Sequence, residues 1–349
     1  MEKTIHFSRY FQAGANLTRR LTVPRWRFSG PFDKASLTLW QEKARKALRK
    51  DLGIAAIEKS AIRPRLDASV IERKEIGSGI IREKVILSIE DDYDIPMYIL
   101  IPENPKSSFL TLAGHHSTGK AGTAGAADCQ CTLDMIEKHG YDYGLQLARR
   151  GHAAICPDPI GQGERREGPV AGDEYDRYHS ASCLYLSRKA IALGFSLPGL
   201  MAYENMRILD YILTREDLPH DINAIGFSGG GMQALYLSAL DLRVQHTIIS
   251  GYFYGVRDSL MIAGSNCSCN FAPSLFSDFD MGDTAGLIAP RRLTIQSGVD
   301  DRLNGQRGIE NVIEQVKLAN RAYAVFGERI EHDIRMTGHF FSAEVLDSI

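Results

Sequence analysis

The sequence predicts an α/β fold, a mostly parallel, doubly wound sheet with helices on both faces and an N-terminal extension. Three observations predict it. Short apolar segments alternate with helical segments after Pro105, which is typical of parallel strands joined by crossover helices. One apolar segment runs directly into the glycine-rich turn 226–230 and then into a helical stretch. The chain has 349 residues, of which 44% are hydrophobic and 24% charged, so it can bury a large core.

The charge balance argues against two classes of partner. The chain has 41 basic and 43 acidic residues and a formal net charge of -2, without the positive excess that nucleic acids or anionic membranes select. Its N-terminal stretch contains no continuous apolar run like that of a secretory signal, and no segment is long and apolar enough to span a bilayer. We therefore expect a cytoplasmic protein with no nucleic-acid or membrane partner.

The six cysteines are expected to be reduced thiols, because cytoplasmic proteins rarely form disulfides. Four of them form two C-x-C pairs, and neither pair has the C-x-x-C spacing of a zinc site. The cysteines are Cys129, Cys131, Cys156, Cys183, Cys267 and Cys269.

The N-terminal region is predicted to be an extension of the main domain. Residues 1–30 carry arginines among scattered aromatics and predict an irregular arm, placed at a subunit contact if the chain forms a homo-oligomer. A partly mobile terminus is the alternative. Ala35–Leu52 has apolar residues at helical spacing and basic residues on its other faces, which predicts a helix. We expect residues 1–79 to form the extension, with this helix on the core, and residues 80–349 to form the main domain.

An antiparallel pair of strands is predicted next. Ile80–Ile89 alternates apolar and polar residues, and Ile95–Ile101 follows after the acidic run Glu90–Asp94. This pattern is typical of a β-hairpin with an acidic tip. The acidic run lacks the spacing of a calcium-binding EF-hand loop, so a solvated turn is expected there.

The remaining elements alternate along the chain. Strands are predicted at Phe109–Ala113, Ala153–Cys156, from Ile222 to the serine turn, Thr247–Ser250, Arg292–Gln296 and Ala322–Phe326. Helices are predicted at Tyr143–Arg149, Leu184–Leu193, Leu200–Leu213, from the serine turn to Leu240, and Gly305–Leu318. The helix after the serine turn is predicted to be amphipathic, with Met232, Leu235 and Ala239 on its apolar face.

Ser228 is the candidate nucleophile, because it lies in a G-x-S-x-G turn between a predicted strand and a predicted helix. Gly226 and Gly230 would remove side chains that collide in such a tight turn. The helix that follows would point its unpaired N–H groups at the reacting centre. The alternative is a glycine-rich turn with an incidental serine. A nucleophilic serine also needs a base and an acid that orients the base.

Candidates for the acid and the base follow late strands of the predicted sheet, and such loops collect at one edge of a parallel sheet. Asp300 and Asp301 are the candidate acids. We favour Asp301, three residues after Gly298, while two ordinary loop aspartates are the alternative. His339, the last histidine of the chain, is the favoured base. His332 is the other candidate, in a charged run that is expected to be solvated.

Two backbone N–H groups are needed to hold the negative charge of a tetrahedral intermediate. Gly229, directly after the serine, is expected to supply one of them. The loop 114–119 is expected to supply the other from Ser117, with His116 as the near alternative. His116 is also expected to contact the substrate. His115 and His116 point in different directions and have no third ligand nearby, so no metal site is expected.

Several longer motifs occur between roughly residues 80 and 341. They are His115–Lys120, Asp158–Arg165, Tyr203–Tyr211, Gly226–Gly231 with Ala239–Arg243, Asn266–Asn270 and Leu287–Arg291. Together with Ser228, Asp301 and His339, this combination resembles the acetyl-xylan-esterase and dienelactone-hydrolase group of α/β-hydrolases. The resemblance implies the α/β-hydrolase fold, with these three residues as nucleophile, acid and base. The group usually has His-Gly where this chain has His115-His116, and the extra side chain would narrow the pocket.

The resemblance implies a serine carboxylic-ester hydrolase that acts through an acyl-enzyme on a small, acetyl-type ester. Such a mechanism needs no cofactor and no metal, and its expected partner is a small-molecule ester. A peptidase or amidase, or an acyltransferase, would use the same scaffold, and a noncatalytic binding protein is a further alternative. The roughly eighty residues before the hairpin are too few for the propeller domain of prolyl-oligopeptidase-type enzymes, which favours the esterase.

Overall fold

A nine-stranded sheet forms the centre of the described chain. The computed structural model describes residues 13–30, 32–114, 118–126, 129–171, 181–264 and 266–349. The strands are β1 Asp67–Glu75, β2 Ile81–Glu90, β3 Tyr93–Ile101, β4 Ser108–Leu112, β5 Ala153–Pro157, β6 Ile222–Phe227, β7 His246–Ser250, β8 Arg292–Gly298 and β9 Glu331–Arg335. Their order across the sheet is β1-β2-β3-β5-β4-β6-β7-β8-β9.

The sheet is mostly parallel, as the sequence predicts. The strands β1, β2, β3 and β5 pair antiparallel with one another in that order. Every pairing from β5 through β4, β6, β7 and β8 to β9 is parallel. The carboxyl ends of these parallel strands therefore meet at one edge of the sheet, where reactive groups of such folds collect.

Helices cover both faces of the sheet. They are α1 Ala13–Arg19, α2 Lys34–Asp51, α3 Ile54–Ser60, α4 Lys120–Thr123, α5 Gln130–His139, α6 Tyr143–Arg149, α7 Gly168–Ala171, α8 Cys183–Ala192, α9 Leu197–Ile212, α10 Gly229–Leu240, α11 Leu275–Asp278, α12 Met281–Gly286 and α13 Ile309–Ala324. Successive strand residues enter opposite cores, since Ala224 and Ile249 belong to one buried cluster and Ile225 and Ile248 to the other. None of the helices in the described ranges is long and apolar enough to cross a membrane.

The N-terminal region contributes both a helix and an edge strand. Helix α2 begins after Asp33, whose side chain accepts a hydrogen bond from the Ser36 N–H. Its residues Leu37, Ala44 and Leu48 are buried in the larger of the two cores. The strand β1 was not predicted. It is exposed and charged along most of its length, which protects a sheet edge from pairing with other chains. The expected boundary at residue 79 therefore falls between two strands that pair in the same sheet.

The last predicted strand is wrong. Ala322–Ala324 forms the final turn of α13 rather than part of a strand, with Ala319, Ala322 and Tyr323 buried at helical spacing. A short apolar run does not distinguish a strand from one face of a helix. Helix α13 also begins later than predicted, at Ile309, because Gly305 and Gly308 both have positive φ.

The final strand instead lies in the charged segment that was expected to be solvated. β9, Glu331–Arg335, pairs parallel with β8 at the edge of the sheet. Its charged side chains find partners there, since Gln296 donates to the Asp333 carboxylate at 2.8 Å. An edge strand of this kind has no apolar periodicity by which the sequence could reveal it.

Helix α10, which follows Ser228, is not amphipathic. All of its residues from Gly229 to Leu240 are buried. The helix lies against β4, β6 and β7, and α2, α9 and α12 cover its other side. A helix that is packed on all sides needs no polar face, and the prediction of a single apolar face missed this second layer.

Candidate active site

Ser228 lies at the turn between β6 and α10, at the carboxyl edge of the sheet. Its backbone has φ 56° and ψ -123°, a strained conformation for a residue with a side chain. A methyl group on Gly226 would lie 2.1 Å from the Gly230 carbonyl oxygen, and one on Gly230 would lie 1.8 Å from the Leu112 carbonyl oxygen. The turn therefore requires both glycines, which is the physical reason for the G-x-S-x-G pattern.

The candidate acid and base form a hydrogen-bonded pair. His339 Nδ1 lies 2.7 Å from Asp301 Oδ2, and the other Asp301 oxygen accepts a hydrogen bond from the Leu303 N–H at 2.9 Å. The Asp301 side chain is 2% exposed and the His339 side chain 24% exposed. Asp300 is exposed and donates its backbone N–H to the Thr337 carbonyl. Of the two candidate acids, the structure places Asp301 against the histidine.

The His339 ring lies beside the serine turn. Its centroid is 4.5 Å from that of Phe227, the residue before Ser228. A methyl group on Gly251 would lie 3.2 Å from His339 Cε1, and the neighbouring Ser250 carbonyl accepts the Ser228 N–H at 2.8 Å. Within the described residues the Ser228 hydroxyl itself forms no hydrogen bond.

A close approach of two loops brings the candidate acid to the candidate base. A methyl group on Gly298 would lie 2.3 Å from the Gly338 carbonyl oxygen. The Asp300 N–H donates to the Thr337 carbonyl, and the Val299 N–H donates to the Arg335 carbonyl. Backbone hydrogen bonds thus join the loop after β8 to the end of β9 and the loop that follows it. Gly298 is needed for this contact, because a side chain there would collide with the backbone of the second loop.

His332, the alternative base, lies away from the acid. It lies in β9, where its Nε2 is 3.2 Å from the Ser297 hydroxyl. Burial lowers the pKa of His332 below its ordinary value, so a neutral imidazole is favoured at this position. The structure therefore gives His332 a place in the sheet edge and no contact with Asp301.

One candidate donor to an oxyanion, the Gly229 N–H, lies at the serine turn. The Gly229 N–H belongs to the first turn of α10, where N–H groups lack intrahelical partners. A methyl group on Gly114 would lie 3.1 Å from this nitrogen, so the loop that begins at Gly114 starts beside the serine turn. The predicted donor Ser117 and the predicted substrate contact His116 lie outside the described residues and stay predictions.

Comparisons with known proteins show the family to which the chain belongs. The model of the Abhydrolase family matches residues 15–311. The chain belongs to the Abhydrolase family. YtaP of Bacillus subtilis (strain 168), assigned as a hydrolase, is 24% identical over 239 residues, which cover 67% of this chain and 74% of YtaP. The predicted resemblance to α/β-hydrolases is therefore confirmed.

Solved structures show the same fold. A protein of Bacteroides fragilis assigned as an acetyl xylan esterase matches with a TM-score of 0.73 and 19% identity, covering 98% of this chain and 88% of that one. A glucuronoyl esterase from Solibacter usitatus matches with a TM-score of 0.61 and 15% identity, covering 91% and 92%. At these identities the matches show that the chains share a fold.

A buried ion pair that the sequence did not reveal supports the loop after β4 in this Abhydrolase chain. Lys120 Nζ lies 2.6 Å from Asp158 Oδ2 and 2.8 Å from Glu164 Oε1, and the Lys120 and Asp158 side chains are fully buried. The Asp158 carboxylate also accepts the backbone N–H of Lys120 at 2.7 Å and that of Glu164 at 3.0 Å. Asp158 therefore holds together the end of the 114–119 loop and the loop after β5.

A second buried pair explains two of the sequence motifs. Arg165 donates to both carboxylate oxygens of Glu204, at 2.8 and 2.7 Å, and the Tyr93 hydroxyl donates to the same carboxylate at 2.5 Å. The Asp158–Arg165 loop is thereby tied to α9, which carries the Tyr203–Tyr211 motif. A two-point arginine–carboxylate contact fixes orientation as well as distance.

Replacing Lys120 with methionine should lower the free energy of unfolding by about 3–5 kcal/mol, because it leaves the Asp158 charge buried without its partner. The matched control is Lys84→Met, since Lys84 also pairs with Glu164 but both side chains are partly exposed. The control should cost at most about 1 kcal/mol. Denaturant unfolding measures both, and equal costs for the two variants would contradict a structural role for the Lys120–Asp158 pair.

Proposed function

We propose that this Abhydrolase chain is a serine carboxylic-ester hydrolase that works through an acyl-enzyme. The observation that carries the proposal is the His339–Asp301 pair, which lies beside the strained Ser228 turn. The carboxylate of this pair is buried, whereas the imidazole is partly exposed. A serine nucleophile needs this arrangement, because its hydroxyl reacts only when a base takes the proton.

The tautomer of His339 follows from its partner. In such a pair His339 donates its Nδ1–H to the Asp301 carboxylate, which leaves the lone pair of Nε2 free to accept a proton. Nε2 takes the Ser228 proton as Oγ attacks the ester carbonyl carbon. The buried carboxylate stabilises the imidazolium that forms, and the geometry is preset by the hydrogen bond from the Leu303 N–H.

The rest of the cycle balances with water as the second reactant. The tetrahedral oxyanion is held by the Gly229 N–H and, in this proposal, by the Ser117 N–H. The imidazolium returns its proton to the leaving alcohol as the C–O bond breaks and the acyl group stays on Ser228. His339 then takes a proton from water, whose oxygen attacks the acyl carbon. The acid leaves, and the serine recovers its proton.

For the substrate we propose a small acyl ester of the acetyl type. The support is the fold shared with structures assigned as an acetyl xylan esterase and a glucuronoyl esterase. The two names imply esters in which the sugar has different roles. In an acetyl xylan the sugar supplies the alcohol, and in a glucuronoyl ester it supplies the acid. A panel of substrates can therefore separate the two.

The test is a hydrolysis panel combined with active-serine labelling. The panel contains aryl acetate and butyrate, acetylated xylo-oligosaccharide, a glucuronate methyl ester and an aminoacyl anilide. We expect acetate release to be fastest, and a fluorophosphonate probe to label Ser228 in peptide mass spectrometry. Faster cleavage of the anilide would make the protein a peptidase, and faster cleavage of the glucuronate ester would overturn the acetyl preference. Lack of both turnover and labelling would overturn the hydrolase proposal.

A further inference from the structure

We propose that Cys183, Cys267 and Cys269 form a binding site for a thiophilic divalent cation such as Zn²⁺, separate from the Ser228 site. The three sulfur atoms all lie within 4.8 Å of one another. They come from two segments that are distant in sequence: Cys183 is the first residue of α8, and the C-x-C pair lies around a short 3₁₀ turn, Ser268–Asn270. The sequence spacing predicted no zinc site because the third sulfur is on another element.

The distances suit a metal ion. Three sulfurs at about 2.3 Å from a tetrahedral zinc are about 3.8 Å apart, so sulfurs within 4.8 Å need to move by only about half an ångström each. A disulfide needs a sulfur–sulfur distance of about 2.0 Å and would leave one of the three thiols out. A site built from three converging sulfurs is therefore better matched by a cation than by a disulfide.

Two cysteines of the cluster are buried, and the third is partly exposed. Cys183 is 2% exposed and Cys269 is 1% exposed, while Cys267 is half-buried. An ion can therefore enter from the Cys267 side, where water can take the fourth coordination position.

The surroundings hold the C-x-C turn in the ligating conformation. The Asn270 amide donates to the Cys267 carbonyl at 2.9 Å and lies 3.9 Å from Cys269 Sγ. The Asn270 oxygen accepts a hydrogen bond from the Tyr252 hydroxyl at 2.6 Å. Amide contacts of this kind orient metal-bound sulfur atoms and stabilise their charge. The asparagine is thus a supporting residue for the site.

The site would add a link between α8 and the C-x-C turn, which already pack against each other. The Ser187 hydroxyl of α8 donates to that of Ser268 at 3.1 Å, beside the cluster. The C-x-C turn is bonded through Asn270 to Tyr252, close after β7, whose last residue Ser250 accepts the Ser228 N–H. A bound ion would therefore link α8 to the C-x-C turn, and through Asn270 to Tyr252 in the segment that follows β7. Its role would be structural, with no part in the ester chemistry.

The test is a Cd²⁺ titration of the reduced, metal-stripped full chain. Cd²⁺ reports sulfur coordination by ultraviolet charge-transfer absorption, and Zn²⁺ is then used to displace it. We expect one equivalent to bind and Tm to rise by a few degrees, because binding to the folded state stabilises it. Cys183→Ser should weaken Cd²⁺ binding at least tenfold and abolish the rise in Tm. Ester turnover is recorded alongside and is expected to change little.

The matched control is the double variant Cys129→Ser/Cys131→Ser, which removes the other C-x-C pair, whose sulfurs are 2.8 Å apart. It should bind Cd²⁺ as the parent does. The proposal is overturned if the signal is lost in this control and kept in Cys183→Ser. It is also overturned if alkylation and mass spectrometry of the protein as isolated find Cys183 in a disulfide. Neither result depends on the identity of the ester substrate, so the hydrolase proposal stands or falls separately.

Discussion

Ser228→Ala should lower kcat for an aryl acetate by a factor on the order of 10⁴ to 10⁶, with little change in stability. The loss is large because the alanine side chain offers no atom to attack the carbonyl, while the oxyanion donors and binding contacts leave some residual rate. Stability should be kept because alanine and serine meet the same strain at positive φ. Initial rates at saturating substrate, together with a thermal unfolding curve, measure the two quantities.

The matched control is Ser60→Ala, an exposed serine at the end of α3. It should keep the parent rate. A Ser228→Ala protein that is folded and retains more than about a tenth of the parent kcat would show that the serine is not the nucleophile.

Asp301→Asn should lower kcat by about 10⁴, because the amide N–H can turn toward His339 Nδ1 and stabilise the tautomer that has its proton on Nε2. That proton would block the imidazole from accepting the Ser228 proton. The asparagine oxygen can still accept the Leu303 N–H, so the loop should keep its conformation. Steady-state rates measured across pH, with a circular dichroism spectrum of each variant, test this.

Asp300→Asn is the paired comparison, since it changes the same chemical group one residue earlier. Asp300 is exposed, and its replacement should leave kcat within about twofold of the parent, as expected for surface substitutions away from a site. If the two variants lose activity equally, the acid has been assigned to the wrong residue.

The sequence predicted most elements of the fold because local patterns determine them. The serine turn, the hairpin and the parallel strands each have a periodicity or a glycine pattern that can be recognised within a few residues. β9 has no such pattern, because its charged residues are stabilised by neighbours on β8. Helix α10 was predicted with one apolar face, since its second covering layer comes from distant helices.

The same distinction holds within the candidate site. The order serine, aspartate, histidine is visible in the sequence, and so are Ser228 and His339. The choice between Asp300 and Asp301 depends on how the loop after β8 turns, which is a tertiary property. The pairing of Lys120 with Asp158 and of Cys183 with the C-x-C turn joins distant segments, and no local pattern records it. Ser117 and His116 stay predictions.

The burial of α10 on every side has a consequence for how such enzymes diversify. Each side chain of this helix is part of the core, and truncating a large one would cost about 2–5 kcal/mol. Mutations in α10 that would shift Ser228 therefore lower the free energy of unfolding, which limits how far the position of the serine can change. New substrate preferences can arise more cheaply in the loops above the sheet edge, which tolerate insertions and substitutions. Selection can then change what is cleaved while the cleaving machinery stays the same.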